Sequence, residues 1–421
     1  MKEALLDRFL RYVQVGTQSD ESSSSSPSTP GQLQLLEMLR AELVQLGAAD
    51  VTLTRHGYVL ATIPATASRR GIPTVAFFAH VDTAPDFSGT GVKPIVHRNY
   101  DGKPIRFPRN SKLVLDDTVA PELFHAKGKD IVTASGDTLL GADDKAGVAC
   151  LMTLADQLLN NSKVKHGKVR LCFTPDEEIG RGVDHLSLKE LGTDVGYTLD
   201  GHSPGEICWE TFSGDGATVT IQGVSTHPGD AKSKGMVNAL QLAAKLLSSL
   251  PREHCCPETT AGREGYIHPL QIEGKAERTT IKFILRDFEL AGLDEKRSIL
   301  KGLCRGLQAA EPRARITCQI RKQYRNMAYW LRKDLRPVDA AKNAMKRLGL
   351  PITEEAVRGG TDGSRLTEMG VPTPNLFCGM NNIHGPLEWV AVQDMELAVE
   401  TCIELLKEWA GKSQETKRLR D

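Results

Sequence analysis

The sequence predicts an α/β protein: a mixed, mostly parallel sheet flanked by helices, interrupted by a smaller inserted α+β domain. Three observations carry that expectation. Residues 74–80, 168–173 and 195–199 are short, nearly continuous apolar runs, of the kind buried on both faces of a parallel sheet. A helix-period segment, residues 145–158, lies between the first two runs, which gives the alternation of right-handed crossovers. The texture then changes over residues 214–322 to strand, helix, strand, helix, strand. At 421 residues the chain exceeds the size at which one core stops growing, so more than one domain is expected. We place the larger domain at 1–212 and 324–421 and the insert at 213–323.

From the N-terminus, MKEALLDRFLRYVQV has apolar residues at helical spacing broken by charges, which reads as an amphipathic helix and not as a signal-peptide core or a membrane span. The polar tract SDESSSSSPSTPGQ, residues 19–32, is predicted to be a mobile loop. A second helix follows in LQLLEMLRAELVQLG, then an alternating strand-like stretch at 51–63 and the buried run ending in His80. The insert is read from ATVTIQG, NALQLAAKLLSSL, TTIKFILRDF, DEKRSILKGLCRGL and RITCQIR. Helices at 337–348 and 392–409, around the strand-like PNLF, return the chain to the larger domain. No internal repeat is present.

Acidic and basic residues balance at 53 each, so no global field attracts nucleic acid or an anionic membrane. Small molecules or peptides are the partners that remain. The nine cysteines form no CxxC pairs, and Cys255 and Cys256 are adjacent and cannot easily bridge. Reduced thiols and a cytoplasmic location are therefore expected.

The chemistry-bearing residues gather where a parallel sheet displays its ligands, at strand C-terminal ends. FFAHVDTAP puts His80 at the end of a buried strand and Asp82 two residues on, both facing one side of an extended segment. A carboxylate there can fix the second nitrogen of a metal-bound imidazole. A strand-end histidine satisfied by its neighbours would look the same. LGADDKAG offers adjacent Asp143 and Asp144, which repel each other and, if buried, ask for a cation. Acids at a helix N-terminus are the plainer alternative.

FTPDEEIGRG places Asp176, Glu177 and Glu178 straight after a strand, which suits one Glu binding metal and its neighbour accepting a proton from water. A solvated acidic turn is the other reading. YTLDG ends a further strand with Asp200, and NNIHGPLEW supplies His384. Two histidines and three carboxylates form a nitrogen and oxygen donor set appropriate to zinc, cobalt or manganese, with positions left open for water.

With GVSTHPGDAK, FILRDFE and RGGTDGSRL, these runs resemble, in order and over nearly the whole chain, the aminoacylase and carboxypeptidase family of co-catalytic zinc peptidases. The resemblance implies a zinc-peptidase catalytic domain. It implies two Zn²⁺ per subunit, Co²⁺ or Mn²⁺ being alternatives: one on His80 and Asp200, the other on Glu178 and His384, with Asp143 bridging. It further implies that Asp82 orients His80, that Glu177 is the general base, and that the Asp143–Asp144 peptide is cis.

By the same likeness His227 would stabilise the tetrahedral intermediate, Arg286 and Arg358 would hold the substrate's terminal carboxylate, and Asn326 would touch substrate. A guanidinium fork suits a carboxylate, and a preorganised donor suits an oxyanion. An Arg286–Asp287 ion pair and an ordinary turn at His227 are the plain alternatives. Asp at 200 points to the aminopeptidases of the family, and the resemblance of the runs taken together implies release of the N-terminal residue of tripeptides. An N-deacylase, dipeptidase or carboxypeptidase on the same scaffold, or a non-catalytic binder, are the rivals. Two copies pairing through the insert is a further implication. The serine-rich tract and the residues after Gly385 depart from the family pattern.

Overall fold

The computed structural model describes residues 1–160 and 163–411. The chain forms two compact units, Met1–Trp209 with Trp330–Glu355 and Thr361–Asp421, and Glu210–Tyr329 with Ala356–Gly360.

The larger unit is built on strands β1 (Ala49–Leu53), β2 (Val59–Ile63), β3 (Val75–His80), β4 (Val169–Thr174), β5 (Val195–Gly201), β6 (Glu206–Thr211), β7 (Thr353–Val357) and β8 (Asn375–Phe377). They are ordered β1-β2-β4-β3-β5-β8-β6-β7. The middle strands β4, β3, β5 and β8 are mutually parallel, and β1, β2 and β6 pair antiparallel on the flanks.

The continuous apolar run of β3 is explained by its two covers. Val75, Phe77 and Ala79 enter one core with helices α1 (Lys2–Val13), α2 (Pro30–Leu46), α3 (Ala142–Asn160), α4 (Arg336–Arg347) and α6 (Val392–Gly411). Ala76 and Phe78 face the other side, where Leu191 and Leu366 of α5 (Asp362–Met369) cover them. Successive strand residues point to opposite faces, so a strand buried on both must be apolar throughout.

α3 lies against β5 at a glycine. A Cβ on Gly147 would stand 2.1 Å from the Leu199 carbonyl oxygen and 2.3 Å from Asp144 Oδ1. Gly147→Ala is therefore expected to force α3 off the sheet and destabilise the larger unit by about 1–3 kcal/mol, the usual cost of overpacking. Denaturant unfolding measures it, and an unchanged midpoint would show that the helix slides without cost.

Some expectations are corrected by the structure. Residues 51–63 are not one strand but the hairpin β1–β2, closed by the Thr54 N–H to Tyr58 O bond (2.9 Å) with Gly57 at φ +81°. Strand-like residues on both sides hid the turn, although Gly57 marked it. Residues 19–32 are not a free loop: Ser19, Ser28 and Gln32 are buried and bonded to neighbouring segments. A polar tract reads as mobile only when the polar groups that receive it are out of view.

The second unit is a four-stranded antiparallel sheet in the order Tyr266–Gly274, Arg278–Asp287, Ser213–Gln222, Arg315–Tyr324. Helices Ala239–Ser248 and Leu290–Ala310 complete its separate core. The strand Tyr266–Gly274 gave no sequence signal because it is an edge strand, exposed along its second half. No helix among the described residues is long and apolar enough to cross a membrane.

Candidate metal centre

The five proposed ligands all belong to the larger unit and converge. His80, the last residue of β3, is buried, and its Nε2 lies 3.0 Å from Asp143 Oδ1 and 3.7 Å from Asp200 Oδ1. The other Asp143 oxygen, Oδ2, is 3.2 Å from His384 Nε2, which is in turn 3.1 Å from Glu178 Oε2. Asp143 thus stands between two histidine–carboxylate pairs, one oxygen turned to each. Nitrogen and oxygen atoms of His80, Asp143 and Glu178 lie within 4.8 Å of one another.

The same spacing groups His80 with Asp144 and Asp200. The Asp144 carboxylate, however, is already held by the His80 N–H (3.1 Å) and the Gly147 N–H (3.1 Å). Asp143 and Asp144 have non-helical dihedrals at the head of α3, and the peptide between them is cis.

Local structure sets each side chain. Nδ1 of His80 is 3.2 Å from the Asp82 carbonyl oxygen and 3.3 Å from its Oδ1. The Asp82 carboxylate also accepts the N–H groups of Glu177 (3.0 Å) and Glu178 (3.1 Å). One carboxylate therefore fixes both the imidazole and the turn that carries the two glutamates. Asp200 is set by Asn375 of β8, whose side chain accepts the Asp200 N–H and donates to its carbonyl.

Two supporting residues escaped the sequence reading. Glu388, buried, accepts the N–H groups of Leu140 (2.7 Å), Gly141 (2.7 Å) and Asp143 (2.9 Å), fixing the backbone from which Asp143 projects. Asp86 lies 3.3 Å from His384 Nδ1, the counterpart of Asp82 at the other histidine. Glu388 stands inside NNIHGPLEW and Asp86 directly follows FFAHVDTAP, but an acid a few residues from a histidine in sequence does not announce which ring nitrogen it faces.

The electrostatics show what the cluster lacks. Burial drives Glu178 up to about 8, with Asp143 adding repulsion that His384 only partly relieves. Burial likewise raises Glu177 and Asp144 well above their ordinary values and moves Asp200 up from its own. At His80 burial opposes the charge, yet hydrogen bonds to Asp143, Asp200 and Asp82 prevail and raise the imidazole well above its ordinary value. His384 follows the same pattern, up to about 11. Glu178 Oε1 is buried with no hydrogen-bond partner among the described residues. Crowded carboxylates with two imidazoles and an orphaned oxygen are what divalent cations would satisfy, so the donor set fits metal.

The remaining predicted site residues belong to the second unit. His227 is exposed, and its Nδ1 accepts the Gly229 N–H at 3.1 Å. That bond places the proton on Nε2, leaving the outer nitrogen a donor. Arg286 bonds Gln323 Oε1 (2.8 Å) and lies over the Tyr324 ring; Asp287 pairs with Lys296 at 2.7 Å instead of with Arg286. Arg358 donates to Gly262 O and Thr260 Oγ1 and lies over Phe212 and Tyr266. Both guanidinium groups thus bond neutral oxygens. Asn326 is buried, its amide accepting from Thr211 and Ala328 and donating to Phe288 O.

The model of the peptidase family M20/M25/M40 matches residues 137–408. Peptidase T of Brevibacillus brevis is 44% identical over 407 residues, spanning 97% of this chain and 98% of that one. Peptidase T of Bacillus subtilis is 42% identical over 413 residues, spanning 98% and 100%. Among solved structures, the aminopeptidase PepT of Bacillus cereus superposes with a TM-score of 0.73 at 22% identity over 97% of this chain and 99% of that one. A tripeptidase of Staphylococcus aureus superposes with a TM-score of 0.75 at 21% identity over 98% and 99%. These two likenesses concern the fold.

Proposed function

We infer that this chain, which belongs to the peptidase family M20/M25/M40 and is a metal-dependent peptidase, releases the N-terminal residue of tripeptides. The observation that carries the reading is Asp143, with one carboxylate oxygen turned to His80, which also meets Asp200, and the other to His384, which also meets Glu178. The name shared by relatives at 42–44% identity supports the same substrate class.

His80 and Asp200 would hold one cation and Glu178 and His384 the other, with Asp143 between them. Zinc suits this nitrogen and oxygen set, which cobalt and manganese share. Divalent cations, when bound, acidify water and polarise a carbonyl. Glu177, free of protein hydrogen bonds at its carboxylate among the described residues, accepts the proton of the attacking water and returns it to the leaving amine. His227, with Nε2–H as donor, stabilises the oxyanion. Arg286 and Arg358 take the substrate's C-terminal carboxylate, for which neither has an acidic partner in place. Asn326 contributes by bracing the backbone at Thr211 and Ala328. Nine unpaired thiols support a reducing compartment such as the cytoplasm.

The test compares a tripeptide with its N-acetylated and C-terminally amidated forms on the metal-loaded protein. The free tripeptide is expected to be cut at its first bond, and the acetylated form to be refused. Preferential cleavage of the acetylated form would instead assign an N-deacylase.

A further inference from the structure

The turn Asp176–Arg181 carries Glu177 and Glu178 straight off the end of β4, and each of its first three N–H groups is held. Asp82 takes those of Glu177 and Glu178. The N–H of Asp176 goes to Gln32 Oε1, at 3.0 Å, outside the metal cluster. Gln32 returns the bond, its Nε2 donating to Asp176 Oδ1 at 2.7 Å. The N–H and hydroxyl of Ser28 donate to the same carboxylate. Asp176 is buried and left-handed at φ +58°, a backbone state that a non-glycine residue keeps only with such support. At the far end of the turn, the Arg181 guanidinium reaches the carbonyl oxygens of Ser23 (2.6 Å) and Glu21 (2.8 Å).

The serine-rich segment that grips the turn is itself fastened to the loop that follows His80. The Ser19 N–H donates to Thr83 O at 3.1 Å, and Gln18 Nε2 donates to the carbonyls of Ala84 and Phe87. Its middle is anchored to the β1–β2 hairpin: Ser26 Oγ donates to His56 O, and a Cβ at Gly57 would stand 2.4 Å from the Pro27 ring. Side chains of Ser28, Gln32 and Arg181 touch none of the proposed metal ligands in these bonds, yet together they tie two ligand-bearing loops to one another.

We propose that residues 18–32 are a positioning strap, which presets the Glu177 turn against the His80–Asp82 loop through Gln32, Ser28 and Arg181. The proposal rests on the reading of Glu177 as the proton acceptor. A turn pinned by protein groups keeps the Glu177 carboxylate where the attacking water must be deprotonated. A turn whose N–H groups bond only water samples other orientations, and displacement by an ångström costs up to about a hundredfold in rate.

The experiment uses the full-length, metal-loaded protein with Gln32→Ala and Arg181→Ala, singly and together, the second lying partly exposed so that it tests the strap even if the first folds poorly. Four quantities are read below the melting temperature: kcat and KM on a tripeptide, metal content, and hydrogen–deuterium exchange of the amides in the turn. Each variant is expected to exchange faster there and to lose about tenfold in kcat, with KM and metal content unchanged and partial recovery in Arg181→Lys. Faster exchange with kcat intact would reduce the strap to a scaffold, and unchanged exchange would show that it does not hold the turn. The exchange measurement is independent of the role of Glu177. A Glu177→Gln protein that still turns over would remove the base assignment alone.

Discussion

Glu177→Gln is expected to lower kcat on a tripeptide by about a thousandfold, within the range a positioned general acid–base supplies, while KM and metal content stay as they were. Gln keeps the volume and removes the proton acceptor. The turn that carries the residue is held through its backbone, by Asp82 and by Gln32 at the preceding residue, so the substitution leaves the local fold intact. Burial first, and then Asp362, Asp200 and Glu178 against the relief of His80, raise the Glu177 carboxyl well above its ordinary value, so it takes up a proton more readily than a free glutamate. A neutral amide there is tolerated. Steady-state kinetics with parallel metal analysis decides the matter, and turnover near the wild-type level with full metal content would transfer the proton to another group.

Chelation has the second large effect, and it should divide the molecule. Every proposed ligand lies in the larger unit, whereas the second unit has its own core around Val219, Phe283, Leu285 and Leu300. Binding to the native state alone stabilises it by about 3 kcal/mol at a hundredfold excess of free ligand over Kd. Removing the cations returns Glu178, Glu177 and Asp200 to mutual repulsion, with one buried glutamate oxygen again unpaired. Calorimetry before and after chelation is therefore expected to show one transition moving down by several degrees and a second holding still, with turnover lost and restored by zinc. A single transition that ignores the chelator would contradict a site built from these residues.

Part of the centre could be read along the chain because three of the five ligands end or follow a buried parallel strand. Apolar runs of five to seven residues locate strand ends, and strand ends locate His80, Glu178 and Asp200. The resemblance then implied the pairing of His80 with Asp200 and of Glu178 with His384. The structure brings these pairs to either side of Asp143. Glu388, Asp86 and the Gln32–Asp176 clamp stayed hidden. Their partners lie 245, 298 and 144 positions away, and no periodicity spans such distances.

What the sequence settled by itself was the two-sided burial of the parallel strands and the change of texture to strand, helix and strand over the insert, and it offered the candidate donors. These follow from local pattern and side-chain chemistry, which need no partner to be named. What the tertiary structure decided was which atom of each donor meets which neighbour, and that a run of serines is a bonded segment and not a loose one. A hydroxyl or an amide is polar in any sequence. Only the fold determines whether water or a buried carboxylate receives its proton.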